Sequence, residues 1–246
     1  MKLPHIIGYS KDYSKGSQIA VHRHEEHQII HARSGVMRVE SGPSIWIIPP
    51  GRALWVRASV EHGIYCITEV KTRTVYFSKS WKIKSDRCEV WQLSDLMREA
   101  IIRIADEPET PLIKPLFDIL RAEIEQLDTL PMNFVKVTSP QLQKIQERLI
   151  RHPEDSRTLE NWANEIGLSP RTVMRRFHNE TGQTFREWRR QIRMLRAAEL
   201  LAVGMPVTTV GQEVGYETTS AFIEAFHHTM GRTPAKYFQS KTPEPT

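Results

Sequence analysis

The hydrophobic period of this chain changes once, and that change limits the folds open to it. Over the first ninety residues, short apolar and polar stretches alternate between Gly and Pro breaks. Segments 18–21, 28–31, 36–39, 44–48, 55–56, 62–67 and 74–77 read as strands, with breaks at Ser34-Gly35, Ser41-Gly42-Pro43 and Pro49-Pro50-Gly51. Many short strands at regular spacing predict a small antiparallel barrel or sandwich. From residue 93 the apolar residues recur at helical spacing, over 93–106, 112–128 and nearly all of 140–239. Strands first and helices after point to an α+β chain with two domains. The expected division is a barrel over 1–90, a helical pair over 91–130, an aperiodic linker over 131–140, an all-α domain over 141–240 and a tail over 241–246.

The 246 residues suffice for two modest domains with proper cores. No apolar run approaches the ~18 residues of a membrane span, and the N-terminus lacks a signal-peptide core, so no membrane association is expected. The two cysteines, Cys66 and Cys88, form no framework and no CxxC pair. They read as plain thiols in a reducing, cytoplasmic setting.

Formal net charge is +5. Residues 157–196 carry that excess by themselves: nine arginines (Arg157, Arg171, Arg175, Arg176, Arg186, Arg189, Arg190, Arg193, Arg196), four acids and no lysine. Arginine's planar fork suits phosphate oxygens and guanine edges. Taken alone, a charge run fits a solvated helix face equally well.

The stretch from Thr158 to Phe177 holds more than charge. Thr158 caps a first helix, with Asn161 where a capping box would carry Glu. Gly167 ends it, Ser169 caps the next helix and Pro170 takes its first position. Val173 and Phe177 then face inward, and Arg171, Met174 and Arg175 share the outer face. This is a helix-turn-helix pattern. About fifty residues later it returns: a short helix ends at Gly215, and Thr218 opens a second one. Phe222 and Phe226 mark its buried side, with Thr219, Ser220, Ile223 and Glu224 outward. Between the units, residues 184–203 form a helix with Trp188, Ile192, Leu195 and Leu200 on one stripe. Twenty residues span about 30 Å, and successive major grooves on one face of B-DNA lie about 34 Å apart. One chain with that spacer suits a site of roughly twenty base pairs. A plain helical bundle is the alternative, and it accounts for neither the repeat nor the arginines.

Residues 158–239 resemble the DNA-binding domain of the AraC/XylS family of bacterial transcription regulators. The matching residues are Ala163, Gly167, Ser169, Arg171, Arg175, Phe177 and Gly182 in the first unit and Arg193, Ala197 and Leu200-Leu201 in the spacer. In the second unit they are Val214-Gly215-Tyr216, Ser220, Phe222, Phe226, Gly231, Pro234 and Tyr237. The resemblance implies a cytoplasmic, sequence-specific regulator bound to operator or promoter duplexes, with RNA polymerase as a partner if it activates. Where family members often carry Arg or Lys, this chain has Glu224, an acid that contacts phosphate unfavourably and either accepts from cytosine N4 or points away. The expected DNA-reading set is Arg171, Thr172, Met174 and Arg175 with Thr218, Thr219, Ser220, Ile223 and Glu224. Ser169, Arg186, Arg190 and Arg193 are expected at phosphates.

Four of the ten histidines fall at 22, 24, 27 and 31. Strand alternation places His22, His24 and Gln28 on one face, with His27 and His31 on the other, where they read as surface residues. The spacing from Gly16 through His22, His24 and Gln28 to Gly35 resembles the first cupin motif, with Gln28 in place of the usual metal-binding glutamate. Gly51, Arg57, Ser59 and His62 resemble a degraded second motif. His22, His24, Gln28 and His62 are thus a candidate ligand set for Zn, Ni or Fe(II) in a cupin-like sensing barrel. The alternative is a vestigial site whose imidazoles hydrogen-bond inside the barrel or meet an organic effector. Trp46 and Trp55 are candidate walls of an effector cavity, or plain core.

Ile113, Phe117, Leu120, Ile124 and Leu127 form a two-heptad apolar seam. It serves either a homodimer contact or internal packing. The functional expectation is an effector-responsive transcription regulator and not an enzyme. The alternatives are a cupin-type metalloenzyme (a dioxygenase or isomerase) with an accessory helical domain, and a non-specific architectural DNA protein.

Overall fold

The computed structural model describes residues 6–81, 87–127, 129–130 and 134–237. The expected tail over 241–246 and positions 131–133 of the expected linker lie outside the described residues. The chain divides into two units: 1–42 with 46–132 and 238–246, and 43–45 with 133–237.

The strands in chain order are β1 (Ile6–Tyr13), β2 (Gln18–His22), β3 (His27–Ser34), β4 (Met37–Ser41), β5 (Ser44–Ile48), β6 (Arg52–Val56), β7 (His62–Cys66), β8 (Val70–Phe77), β9 (Glu89–Gln92), β10 (Thr129–Leu130) and β11 (Phe134–Val135). They form a six-stranded sheet, β1-β8-β3-β6-β9-β10, and a five-stranded sheet, β11-β5-β4-β7-β2. The expected barrel is corrected here: among the described residues the two antiparallel sheets do not close, because β1 and β10 end one sheet, β2 and β11 end the other, and no ladder joins an edge of one to an edge of the other.

Side chains alternate as a two-residue period requires. Ile30, Ala32, Leu54 and Val56 share a core with Met37, Val39, Trp46 and Cys66 of the other sheet. Ile29, Trp55, Val75, Phe77 and Trp91 point the other way, into a second core completed by helices α1 (Asp95–Asp106) and α2 (Ile113–Glu125). Trp46 and Trp55 therefore lie in different cores: Trp46 faces the core between the sheets, and Trp55 faces the helices on the other side of its sheet, so the two do not wall one space together.

The apolar seam is resolved by the same packing. Phe117, Leu120 and Ile124 are buried in the α1–α2–sheet core, and Ile113 and Leu127 pack against it. The middle of the seam is thus packed inside the chain, with Val75 and Phe77 of β8 in the same core, and its two ends are half-buried. His31, expected on the surface, is fully buried. His27 is half-buried, stacked on Trp55 at 4.9 Å.

The second unit comprises α3 (Pro140–Arg151), α4 (Leu159–Glu165), α5 (Pro170–Thr181), α6 (Phe185–Ala202), α7 (Val207–Glu213), α8 (Thr219–Met230) and α9 (Pro234–Tyr237). Its core joins Leu142, Ile145 and Leu149 to Trp162, Phe177 and Trp188. Residues 134–135 of the expected linker are strand β11. Phe134 pairs with Ile45 and is buried, and Trp188 Nε1 donates to Val135 O at 2.7 Å. A two-residue strand is too short to leave a periodic signal in the sequence.

Candidate functional site

The two helix-turn-helix units are built by the same local chemistry. In the first, Leu168 N donates to Ala163 O at 2.9 Å, and in the second Tyr216 N donates to Gly211 O at 2.9 Å. Ser169 caps α5 and Thr218 caps α8, each accepting from the backbone three residues on. Gly182 and Gly231 close those helices with φ of 71° and 72°. Asn161 performs the task usually given to Glu: its side chain accepts from Thr158 N while Thr158 accepts from Asn161 N, so the capping box is complete.

The equivalence is residue by residue. Gly215 follows Gly167 by 48 positions, and Gly231 follows Gly182 by 49, because the second turn is one residue longer. In this register Val173 and Phe177 match Phe222 and Phe226, all four buried. Arg171, Met174 and Arg175 match Ser220, Ile223 and Glu224. Ser220 and Glu224 are exposed and Ile223 is half-buried. One outer face is cationic and the other is neutral to acidic.

The structure sorts the nine arginines into two groups. Arg157 binds Asp155 and Glu165, and its guanidinium lies 3.5 Å from the Trp162 ring centre. Arg176 reaches Gln141, Arg189 donates to Arg157 O, and Arg196 pairs with Glu199. Arg193, expected at a phosphate, turns inward: Nε donates to Pro153 O at 2.8 Å and Nη1 to Gly215 O at 3.1 Å. Burial lowers its pKa from the usual arginine value. Arg171, Arg175, Arg186 and Arg190 make no hydrogen bond or ion pair among the described residues. Arg190 Nε is buried without a partner. Met174 stands 52% exposed between the two free arginines of α5. The Ser169 and Thr172 hydroxyls are engaged with each other at 2.9 Å, and Thr218 is engaged as a cap. Thr219 is half-buried.

A second constellation lies at one end of the two sheets. His22 on β2 and His62 on β7 are cross-strand partners beside an irregularity in the ladder, and such a bulge re-aims a side chain. Gln28 on β3 and Tyr76 on β8 are partners in the other sheet. His24 lies in the connection between them, where its carbonyl accepts from Ser59 N at 2.7 Å. Ligand atoms of His22, His24 and His62 all lie within 4.8 Å of one another.

All three imidazoles are held the same way. Nδ1 of His22 meets Ala20 O at 2.9 Å, Nδ1 of His24 meets Glu26 O at 2.8 Å, and Nδ1 of His62 meets Val60 O at 3.0 Å. A carbonyl only accepts, so each Nδ1 carries a proton, and Nε2 is the nitrogen left to each ring for a ligand. His62 Nε2 is buried without a partner. Burial, with His22 and His24 alongside, lowers the His62 pKa to about 4. Gln28 Nε2 donates to Tyr76 Oη at 3.0 Å, which leaves Oε1 3.0 Å from His24 Nε2. With His24 Nδ1–H already given to Glu26, the contact is satisfied by a second ring proton, by a cation held between the two groups, or by the Gln28 amide turned over so that it donates to His24 Nε2 and accepts from the Tyr76 hydroxyl.

A helix-turn-helix domain family model matches residues 162–240, and an AraC-like ligand binding domain model matches residues 3–114. The two models match the strand-rich and the helical half of the chain in turn, an AraC-like ligand binding domain followed by a helix-turn-helix domain. The chain is similar to the HTH-type transcriptional regulator NimR of Escherichia coli, 28% identical over 237 residues, covering 92% of this chain and 87% of that one. HTH-type transcriptional regulator RipA of Corynebacterium diphtheriae is 38% identical over 103 residues, 42% of this chain and 31% of its own. Among solved structures, ToxT from Vibrio cholerae aligns with a TM-score of 0.41 at 13% identity, over 95% of this chain and 97% of that one. The regulator is thus a DNA-binding protein with a ligand-binding domain, and it is not an enzyme. No helix among the described residues is long and apolar enough to cross a membrane.

Proposed function

We propose that this regulator senses a divalent metal ion and reads two successive major grooves of its operator with one chain. The observation that carries the sensing half is the set of three imidazoles with Nδ1 tied to backbone carbonyls and Nε2 turned to a common point. Metal-bound histidines are held in this way, because the bond from the second nitrogen fixes tautomer and ring orientation. Gln28 Oε1 supplies a fourth, neutral donor. Three imidazoles and an amide suit Zn, Ni or Fe(II) better than Mg or Ca. Lacking a carboxylate, the site binds more weakly than one with a glutamate.

On the DNA side, Arg171 and Arg175 bond guanine edges and Met174 meets a thymine methyl. Ser220, Ile223 and Glu224 read the second groove, and Arg186 and Arg190 hold phosphates. The metal changes DNA affinity through its different affinity for the competent and incompetent arrangements. The site of action is the cytoplasm, and RNA polymerase is the further partner at an activated promoter. A homodimer would double the site, and sedimentation of the full chain on and off DNA tests it.

The deciding experiment joins metal analysis to DNA binding, on protein purified without an affinity tag. The expected results are about one metal per chain, its loss in His24→Ala, and a DNA affinity that shifts about tenfold or more on chelation. Sub-stoichiometric metal with chelator-insensitive binding overturns the sensing half. Binding that ignores sequence overturns the reading half.

A further inference from the structure

We infer that Arg193 is a positioning residue: it clamps the two reading heads to the α6 rod and so sets the half-site spacing the regulator accepts. The inference rests on the reading that α5 and α8 enter successive grooves. Arg193 lies at the middle of α6, whose eighteen residues span about 27 Å. Its fork points two ways, to Pro153 O in the segment before α4 and to Gly215 O in the second turn. One guanidinium thus bridges the entry to the first head and the elbow of the second.

The junction has no slack. A Cβ on Gly215 would lie 2.7 Å from Arg193 Nη2 and 2.8 Å from Glu154 Cα. Gly215 also holds φ at 82°, so this position is closed to other residues on both counts. Tyr216 lies beneath the same guanidinium, its ring centre 5.6 Å away. One helical turn earlier on the rod, Arg189 donates to Arg157 O. Arg157 is fixed in turn to Asp155, Glu165 and the Trp162 ring of α4. The rod therefore grips the first head at two points and the second at its turn. A lysine ammonium lacks the planar fork that serves two carbonyls in different directions.

Two heads on a rigid rod bind a matched site far better than one head does, because the second contact is made at high effective concentration. Loosening the joint removes that gain without touching either reading face. The test uses full-length wild type, Arg193→Lys and Arg193→Gln on three duplexes. These are a site selected from a random pool, its first half alone, and the full site with about five inserted base pairs, half a helical turn. Both variants should bind the full site about tenfold or more weakly and the half-site within about twofold, with a reduced penalty for the insertion. Spin labels at Asn179 and His228, equivalent exposed positions on α5 and α8, should give one narrow distance in wild type and a broad one in the variants. If Arg193→Gln does not fold, Arg193→Lys, which keeps charge and stem, carries the test. Unchanged full-to-half ratios with narrow distances overturn the inference, as does an equal loss on both duplexes. A wild type that binds full and half sites alike overturns the two-groove reading instead, and the label distances still judge Arg193.

Discussion

Acidification should destabilise the strand-rich unit through one histidine that has no part in ligand or DNA binding. His31 is fully buried, its Nδ1 meets Arg52 O at 2.9 Å, and its Nε2 has no partner. Burial lowers its pKa from 6.5 to about 4, against the raising effect of the Arg52 carbonyl, and Arg98 and Arg73 add to the lowering. The unfolded chain therefore takes up a proton between pH 6.5 and about 4 that the folded chain refuses. Stability from this group is fully present above pH 6.5 and is lost as pH falls through that interval. At about 1.4 kcal/mol per pH unit the whole interval corresponds to about 3 kcal/mol. Urea unfolding at a series of pH values from 7.5 to 4, on wild type and His31→Gln, isolates the effect, since other titrating groups are common to both. The wild-type curve should fall more steeply with acidification, and the two stabilities should converge by about 3 kcal/mol. Parallel curves would refute the argument.

Arg175→Ala should cost about 1–3 kcal/mol in binding and relax preference at one base position, read by repeating the selection from a random pool. Arg186→Ala should weaken all duplexes alike and reduce the log–log salt slope by about one. Ser59 holds φ of 64°, a left-handed conformation, at a turn where its hydroxyl has only a 3.5 Å contact with Glu25. Ser59→Gly should raise the melting free energy by about 0.5–1 kcal/mol; calorimetry checks this. Leu120→Ala should destabilise by about 2–5 kcal/mol and leave the sedimentation coefficient of the folded chain unchanged, because that side chain fills an internal core.

The helical half was largely legible because its signals are local. Caps at Ser169 and Thr218, elbow glycines at 167 and 215, and pairs such as Val173 and Phe177 act within one or two turns, and local backbone chemistry suffices to read them. The strands of the sheet core announced themselves by alternation, whereas β1, β9, β10 and β11 did not. Each pairs with a strand far along the chain, as Phe134 pairs with Ile45. Proximity along the strands also brought His22, His24 and Gln28 into view, and His62 followed from the motif spacing.

What tertiary structure decided was where each recognised group points and what it touches. Arg193 and Arg175 are alike in the sequence and eighteen positions apart; one is turned into a joint by carbonyls 40 and 22 residues away, and the other stands free on α5. The seam of α2 was visible as apolar, but only the sheet beneath it showed that Phe117, Leu120 and Ile124 are buried within the chain. His31 and His27 sit on the face that alternation assigned them, yet burial depends on what covers that face. Alternation and capping report the backbone's own periodicity; coverage and pairing depend on contacts that close long loops, and these leave no periodic trace along the chain.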